Sequence, residues 1–230
     1  MSTLRLYEAS NNTDPIHHKT FDQFFIDAAA GTLPQFTFMD YNGTTQSQEN
    51  PQNMVVGEAM MFDIVTALGS SPQWNKTLLI INYDEHGGYF DHVPPPPALA
   101  PDKVQPISPV GSNYLQYEGF RRYGFRVPAV VISPWAKKNH VSHLVYDHTS
   151  ILATIQRKFN LPALTFRDAN AVDMLDFIDL DALASGVPNF PDLKALNLSL
   201  PGNTTEALEC TPADPGVIPP PGSVEVPRHH

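Results

Sequence analysis

Cysteine is nearly absent. The 230-residue chain has one, Cys210, so no internal disulfide can form. Cys210 lies in a Pro-rich stretch and has two readings: a thiol whose partner has been lost from a secreted protein, or an inert exposed thiol. Long apolar runs are also missing. The longest with buried character, Leu78-Leu79-Ile80-Ile81, is strand-sized, far short of the ~20 residues a membrane helix needs. Basic residues are scarce: 14 Lys and Arg stand against 24 Asp and Glu, for a formal net charge of -10. Such a chain repels nucleic acid and anionic lipid at long range, and no basic arm offsets this. Nucleic acid is therefore not an expected partner. An anionic substrate would need a local cation, which a bound metal could supply.

What is present is globular in character. Hydrophobic residues make up 42% and charged residues 17%, and the length suits one α/β domain with a sizeable core. Asn-x-Ser/Thr sequons start at Asn11, Asn42, Asn75, Asn197 and Asn203, which points to a secreted glycoprotein. No apolar leader core follows Met1-Ser2-Thr3-Leu4-Arg5.

Periodicity predicts a helix over Thr20–Ala30, with Phe21, Phe24, Phe25 and Ala28 on one face and Gly31 as its stop. A strand follows at Gln35–Met39. Tyr41–Asn53 is polar loop, and Met54–Leu68 is helical, with Val56, Met60, Ile64 and Leu68 every four residues. Thr77–Tyr83 reads as a strand buried on both faces, as in a parallel sheet, and Val127–Ser133 as another short buried strand. Residues 98–124 form a surface excursion, Thr149–Phe159 a helix, and 171–180 a further short helix. This alternation predicts an α/β fold with a central, mostly parallel sheet flanked by helices. Residues 1–186 form that domain, and 187–230 an extended Pro/Gly-rich tail.

The chemistry concentrates in Tyr83-Asp84-Glu85-His86-Gly87-Gly88-Tyr89-Phe90-Asp91-His92-Val93-Pro94-Pro95-Pro96, which begins where the apolar strand ends. Ligands of open α/β sheets bind beyond the carboxyl ends of strands. Adjacent acids there are costly to bury unpaired, and a divalent cation removes that cost. Asp84 and Glu85 are the candidate metal ligands, and their oxygens suit Ca²⁺, Mg²⁺ or Mn²⁺ better than Zn²⁺. Gly87 and Gly88 allow positive φ or close approach to a ligand. The bland alternative is a turn with solvated charges. His86 and His92 could each orient a neighbour, bind phosphate or shuttle a proton, while His92 could simply brace the Pro run. His148 could face the same edge as a third candidate catalytic histidine, or serve as a helix-cap residue beside Asp147.

The stretch YDEHGGYFDHVPPP resembles the phosphoesterase family that includes phosphocholine-type phospholipases C and related acid phosphatases. Phe21–Asp40, Arg126–Trp135 (RVPAVVISPW) and Asp147–Leu152 (DHTSIL) fit the same family in the same order over residues 18–180. The resemblance implies an alkaline-phosphatase-like fold in an incomplete version, corresponding to the family's carboxyl-terminal part. It implies metal-assisted hydrolysis of a phosphate monoester or phospholipid head group, with Asp84 and Glu85 on the metal. The family's amino-terminal Glu-Asn metal pair and its Ser or Thr nucleophile have no counterpart here. Asn50 stands where an active-site His is expected, while Gly57-Glu58 is retained. Three outcomes follow as expectations: a hydrolase of weakened activity, an inactive relative that binds a ligand or partner at the same edge, or a fragment without function of its own. Homodimerisation, a missing amino-terminal half or tail wrapping would cover the exposed strand edge.

Overall fold

The computed structural model describes residues 4–7, 17–40, 47–48, 54–104 and 120–193, with side chains described from residue 17 onward. Asn50, Cys210 and the sequons at Asn11, Asn42, Asn197 and Asn203 lie outside them; Asn75 lies on an exposed turn.

Helix α1 (Phe21–Ala30) starts at Thr20, whose side chain accepts from Gln23 N, and stops at Gly31, whose φ of 66° a residue with a Cβ rarely adopts. Helix α2 (Met54–Gly69) packs across it. Phe24, Ala28, Ile64 and Leu68 form the buried cluster, with Met60 and Leu79 packed against it. The joint between the helices is polar and satisfied. Ser71 Oγ donates to Ala28 O at 2.6 Å, and the Gln73 amide exchanges hydrogen bonds with the backbone of Leu33.

Strand β1 (Leu4–Tyr7) pairs in parallel with both β2 (His18–Lys19) and β3 (Phe36–Met39). Strand β4 (Leu79–Asn82) pairs antiparallel with β5 (Ala129–Ile132), Leu79 opposite Ile132 and Asn82 opposite Ala129. Of the mixed helix and strand architecture expected, the described residues show a parallel sheet of three strands, β2-β1-β3, and a separate antiparallel pair, β4-β5, that leads into the acidic motif; one central, mostly parallel sheet is not seen among them. Nor is β4 buried on both faces: its four residues are all half-buried. Among the described residues, β4 and β5 pair only with each other, so each has neighbour strands to one side alone.

Helix α3 (His148–Phe159) opens with a capping box in which the Asp147 side chain and Ser150 hold each other's backbone N–H groups. Asn160 closes it in the left-handed region. Ile151 and Ile155 are half-buried and Leu152 is 39% exposed, so the apolar face expected to point inward is only partly covered. Helix α4 (Phe166–Asn170), the 3₁₀ turn Met174–Phe177 and helix α5 (Leu180–Ser185) pack the remaining segment. Residues beyond α5 return across the molecule, where Phe190 N donates to Pro134 O and Trp74 Nε1 donates to Phe190 O, both at 3.0 Å. No helix among the described residues is long and apolar enough to cross a membrane.

Candidate active site at the carboxyl end of β4

β4 ends at Asn82, and the motif turns immediately. Asp84 Oδ1 accepts from Glu85 N at 3.0 Å, and Glu85 Oε2 accepts from Gly87 N at 2.7 Å. Both acids are exposed. Gly87 and Gly88 follow with φ of 66° and 76°, two successive left-handed residues that only glycine tolerates cheaply. A Cβ on Gly87 would also meet the Tyr89 ring at 3.2 Å. The glycines thus fold the motif back so that His86 Nδ1 reaches Tyr89 O at 2.9 Å. A ring nitrogen facing a carbonyl oxygen must carry the proton. In neutral His86 that leaves Nε2 as the acceptor. The imidazole also packs edge-on against Phe125, with centroids 4.8 Å apart.

His148, the first residue of α3, directs Nε2 to Tyr83 O at 2.9 Å. By the same reasoning its Nδ1 is the acceptor when neutral. The bond ties the start of α3 to the end of β4 and brings His148 to the edge that carries Asp84. The helix cap itself is Asp147. His92 stands apart: its side chain is 84% exposed, with Nδ1 3.7 Å from Asp91 Oδ1.

The loop is held from beneath by a pair that the sequence reading left without a role. Asp91, its side chain only 11% exposed, accepts from Arg126 Nε at 2.7 Å, Arg126 Nη2 at 2.8 Å, Arg126 N at 3.3 Å and Val93 N at 3.0 Å. The Arg126 hydrogen bonds foremost, with Val93 N–H, hold the Asp91 carboxyl well below the usual carboxylate range. Pro94 to Pro97, which follow, have no N–H to donate and are held through their carbonyls: Tyr123 N donates to Pro96 O at 3.0 Å and Arg122 Nη1 to Pro95 O at 2.7 Å. On the other side, Tyr83 hydroxyl bonds Gln48 Oε1, and Gln48 Nε2 donates to Glu58 Oε1 at 2.9 Å. Burial and the Glu58 charge push the Tyr83 phenol up. Glu58 of the retained Gly-Glu pair therefore bears on this edge through Gln48 and Tyr83.

Asp84, Glu85, His86, Asp91, Arg126 and His148 line one cleft of about 2170 Å³. Apolar side chains, among them Met60, Leu79, Ile81 and Ile155, line the same cleft. The two acids are the right donor type for a hard cation, but each has one oxygen committed to its own turn. Among the described residues no three His, Cys, Asp or Glu side chains gather as a metal site. A hard divalent ion takes six or more oxygens, so these residues do not make a shell by themselves.

The model of the Phosphoesterase family matches residues 2–162, opening earlier and closing earlier than the 18–180 expected from the motifs. Non-specific phospholipase C6 of Arabidopsis thaliana is 38% identical over 172 residues, covering 68% of this chain and 32% of the relative. Non-specific phospholipase C3 of the same plant is 41% identical over 153 residues, 60% of this chain and 28% of its own. Phospholipase C B of Mycobacterium tuberculosis (strain ATCC 25618 / H37Rv) is 34% identical over 180 residues, 74% of this chain and 34% of its own. The chain thus spans about a third of the length of these relatives. With the family model covering more than half of its residues, and with the acidic motif standing at the end of β4, this chain belongs to the Phosphoesterase family.

Proposed function

We propose that the chain serves in hydrolysis of a phosphoric ester, with the head-group linkage of a phospholipid as the substrate class. The observation that carries this reading is His148 held on Tyr83 O at 2.9 Å, beside the contiguous Asp84-Glu85-His86, with all four residues lining one cleft. Family membership supports it, as do relatives named phospholipases C. The cleft's apolar lining suits the hydrocarbon part of such a substrate. In this reading His86 accepts or returns a proton at Nε2, since Tyr89 O fixes the proton on Nδ1. His148 holds α3 against Tyr83 O and keeps the edge in shape. Asp84 and Glu85 are proposed as part of a divalent-cation shell, completed by oxygens from outside the described residues.

The test is hydrolysis of p-nitrophenyl phosphorylcholine and p-nitrophenyl phosphate by the full chain, with Ca²⁺, Mg²⁺ or Mn²⁺ added. Turnover that falls to background in Asp84→Ala is the expected result. Absence of turnover with either ester at any pH would remove the reading. A second reading, a family member that binds a phosphoester without cleaving it, is favoured by one observation: no three metal-ligating side chains gather among the described residues. Ester binding without turnover would select it.

A further inference from the structure

The chain carries a formal net charge of -10, while any phosphoric ester reaching the β4 edge is an anion. Long-range repulsion works against the encounter, so a cation has to meet the phosphoryl group locally. Four basic side chains line the cleft: Lys76, Arg126, Arg157 and Lys158. Lys76 stands before the amino end of β4, opposite the motif. Arg157 and Lys158 are in the last turn of α3, about 14 Å along the helix from His148 at 1.5 Å per residue, and Arg157 is paired with Asp173 at 2.7 Å.

Arg126 is placed differently. The residue before it, Phe125, packs on the His86 ring. Two residues after it, Pro128 O accepts from Tyr83 N at 3.3 Å. Arg126 therefore sits between two contacts to the segment that carries Asp84 and His86. Its side chain is 60% exposed, while that of its partner Asp91 is 11% exposed. A guanidinium presents five N–H groups in a rigid plane. Asp91 takes the Nε and Nη2 edge, which locks the plane and leaves the Nη1/Nη2 edge turned away from Asp91.

We propose that Arg126, oriented by Asp91, binds a non-bridging phosphoryl oxygen of the ester held at the Asp84–His86 turn. This rests on the phosphoester reading above and names the residue that recognises the anion. The planar fork matches two phosphoryl oxygens, whereas a lysine in its place would offer a point charge without that geometry. Asp91 acts as a positioning residue, since it touches the guanidinium and not the substrate.

Inorganic phosphate titrated into the full chain without added metal, followed by ³¹P line broadening and calorimetry, tests the proposal apart from turnover. The wild-type chain should bind phosphate saturably. Arg126→Gln should weaken binding by about 10- to 100-fold, the worth of a charge-assisted hydrogen bond. Arg126→Lys and Asp91→Asn should fall between, with melting temperatures near wild type. Should Arg126→Gln not fold, Arg126→Lys and Asp91→Asn decide: unchanged phosphate affinity in both overturns the assignment. Lack of saturable binding by the wild-type chain overturns it as well. Arg126-dependent phosphate binding without ester hydrolysis keeps this assignment and removes the hydrolase reading. Hydrolysis with wild-type KM and kcat in Arg126→Gln does the reverse.

Discussion

Replacing Asp168 by alanine is the sharpest test of what holds the α3–α4 region together. Asp168 is 2% exposed. Its carboxylate accepts from Gln156 Nε2, Leu164 N and Thr165 N, each at 2.7 Å, and from Thr165 Oγ1. In Asp168→Ala the Gln156 and Thr165 side chains can rotate toward water, but the backbone N–H groups of Leu164 and Thr165 cannot. Two stranded donors at roughly 1–3 kcal/mol each give a loss of about 3 kcal/mol. That is a large share of a total stability of about 5–15 kcal/mol. In a chain of this length it lowers Tm by about 6–12 °C. The loss should also depend on pH. Burial alone would raise the Asp168 pKa, but hydrogen bonds from Thr165, Gln156 and the backbone outweigh it and lower the pKa. A lowered folded-state pKa gives stability that is fully present above the unfolded value, about 3.9, and lost as pH falls below it. Urea unfolding of both proteins at neutral pH and through the acid range should show a constant gap above about pH 5 that narrows below about pH 4. A gap under about 0.5 kcal/mol at neutral pH, or one that does not change on acidification, would show that the Asp168 carboxylate does not hold these N–H groups.

Two further substitutions probe the frame behind the site. Phe24→Ala removes a ring that is 1% exposed and packed edge-on against Phe25; denaturant unfolding should register a loss of about 3–5 kcal/mol. Trp74→Phe keeps most of the buried volume but deletes the donor to Phe190 O; a loss of about 1 kcal/mol is expected in the same measurement, with the segment around Phe190 more readily cleaved by protease.

The helices were legible wherever a period coincided with a cap. Thr20 and Gly31 bracket α1, and the Asp147–Ser150 box opens α3. The short α4 and α5 escaped because five or six residues cannot display a period, although Thr165-Phe166-Arg167-Asp168 carries its own capping box, and the helix expected over 171–180 is a 3₁₀ turn at Met174–Phe177. Strands β1 and β2 escaped for a different reason: β2 is two residues long and exists only through its pairing with β1. The apolar cores of β4 and β5 were visible, but their direction was not. A four-residue apolar run fits a parallel or an antiparallel neighbour equally well. Their expected ends were too generous because the flanking residues serve the junctions. Ser133 Oγ donates to Thr77 O at 2.9 Å, closing one end of the pair with a side chain instead of a ladder bond.

The site divides along the same line. Asp84, Glu85, His86, Gly87 and Gly88 were readable because their chemistry is contiguous: acids, imidazole and positive-φ glycines follow one another after an apolar strand. Arg126 was not readable, since it meets Asp91 across 35 residues and nothing local encodes that distance. Four successive prolines from Pro94 to Pro97 have no N–H to donate, so the facing segment meets them through their carbonyls. Tyr123 N donates to Pro96 O at 3.0 Å and Arg122 Nη1 to Pro95 O at 2.7 Å, while Ala98 N, just past the run, donates to Arg121 O at 2.7 Å. Arg126 instead takes Asp91, three residues before the run. That pairing anchors the loop and, because Arg126 also lines the cleft, sets a guanidinium there in an otherwise acidic chain.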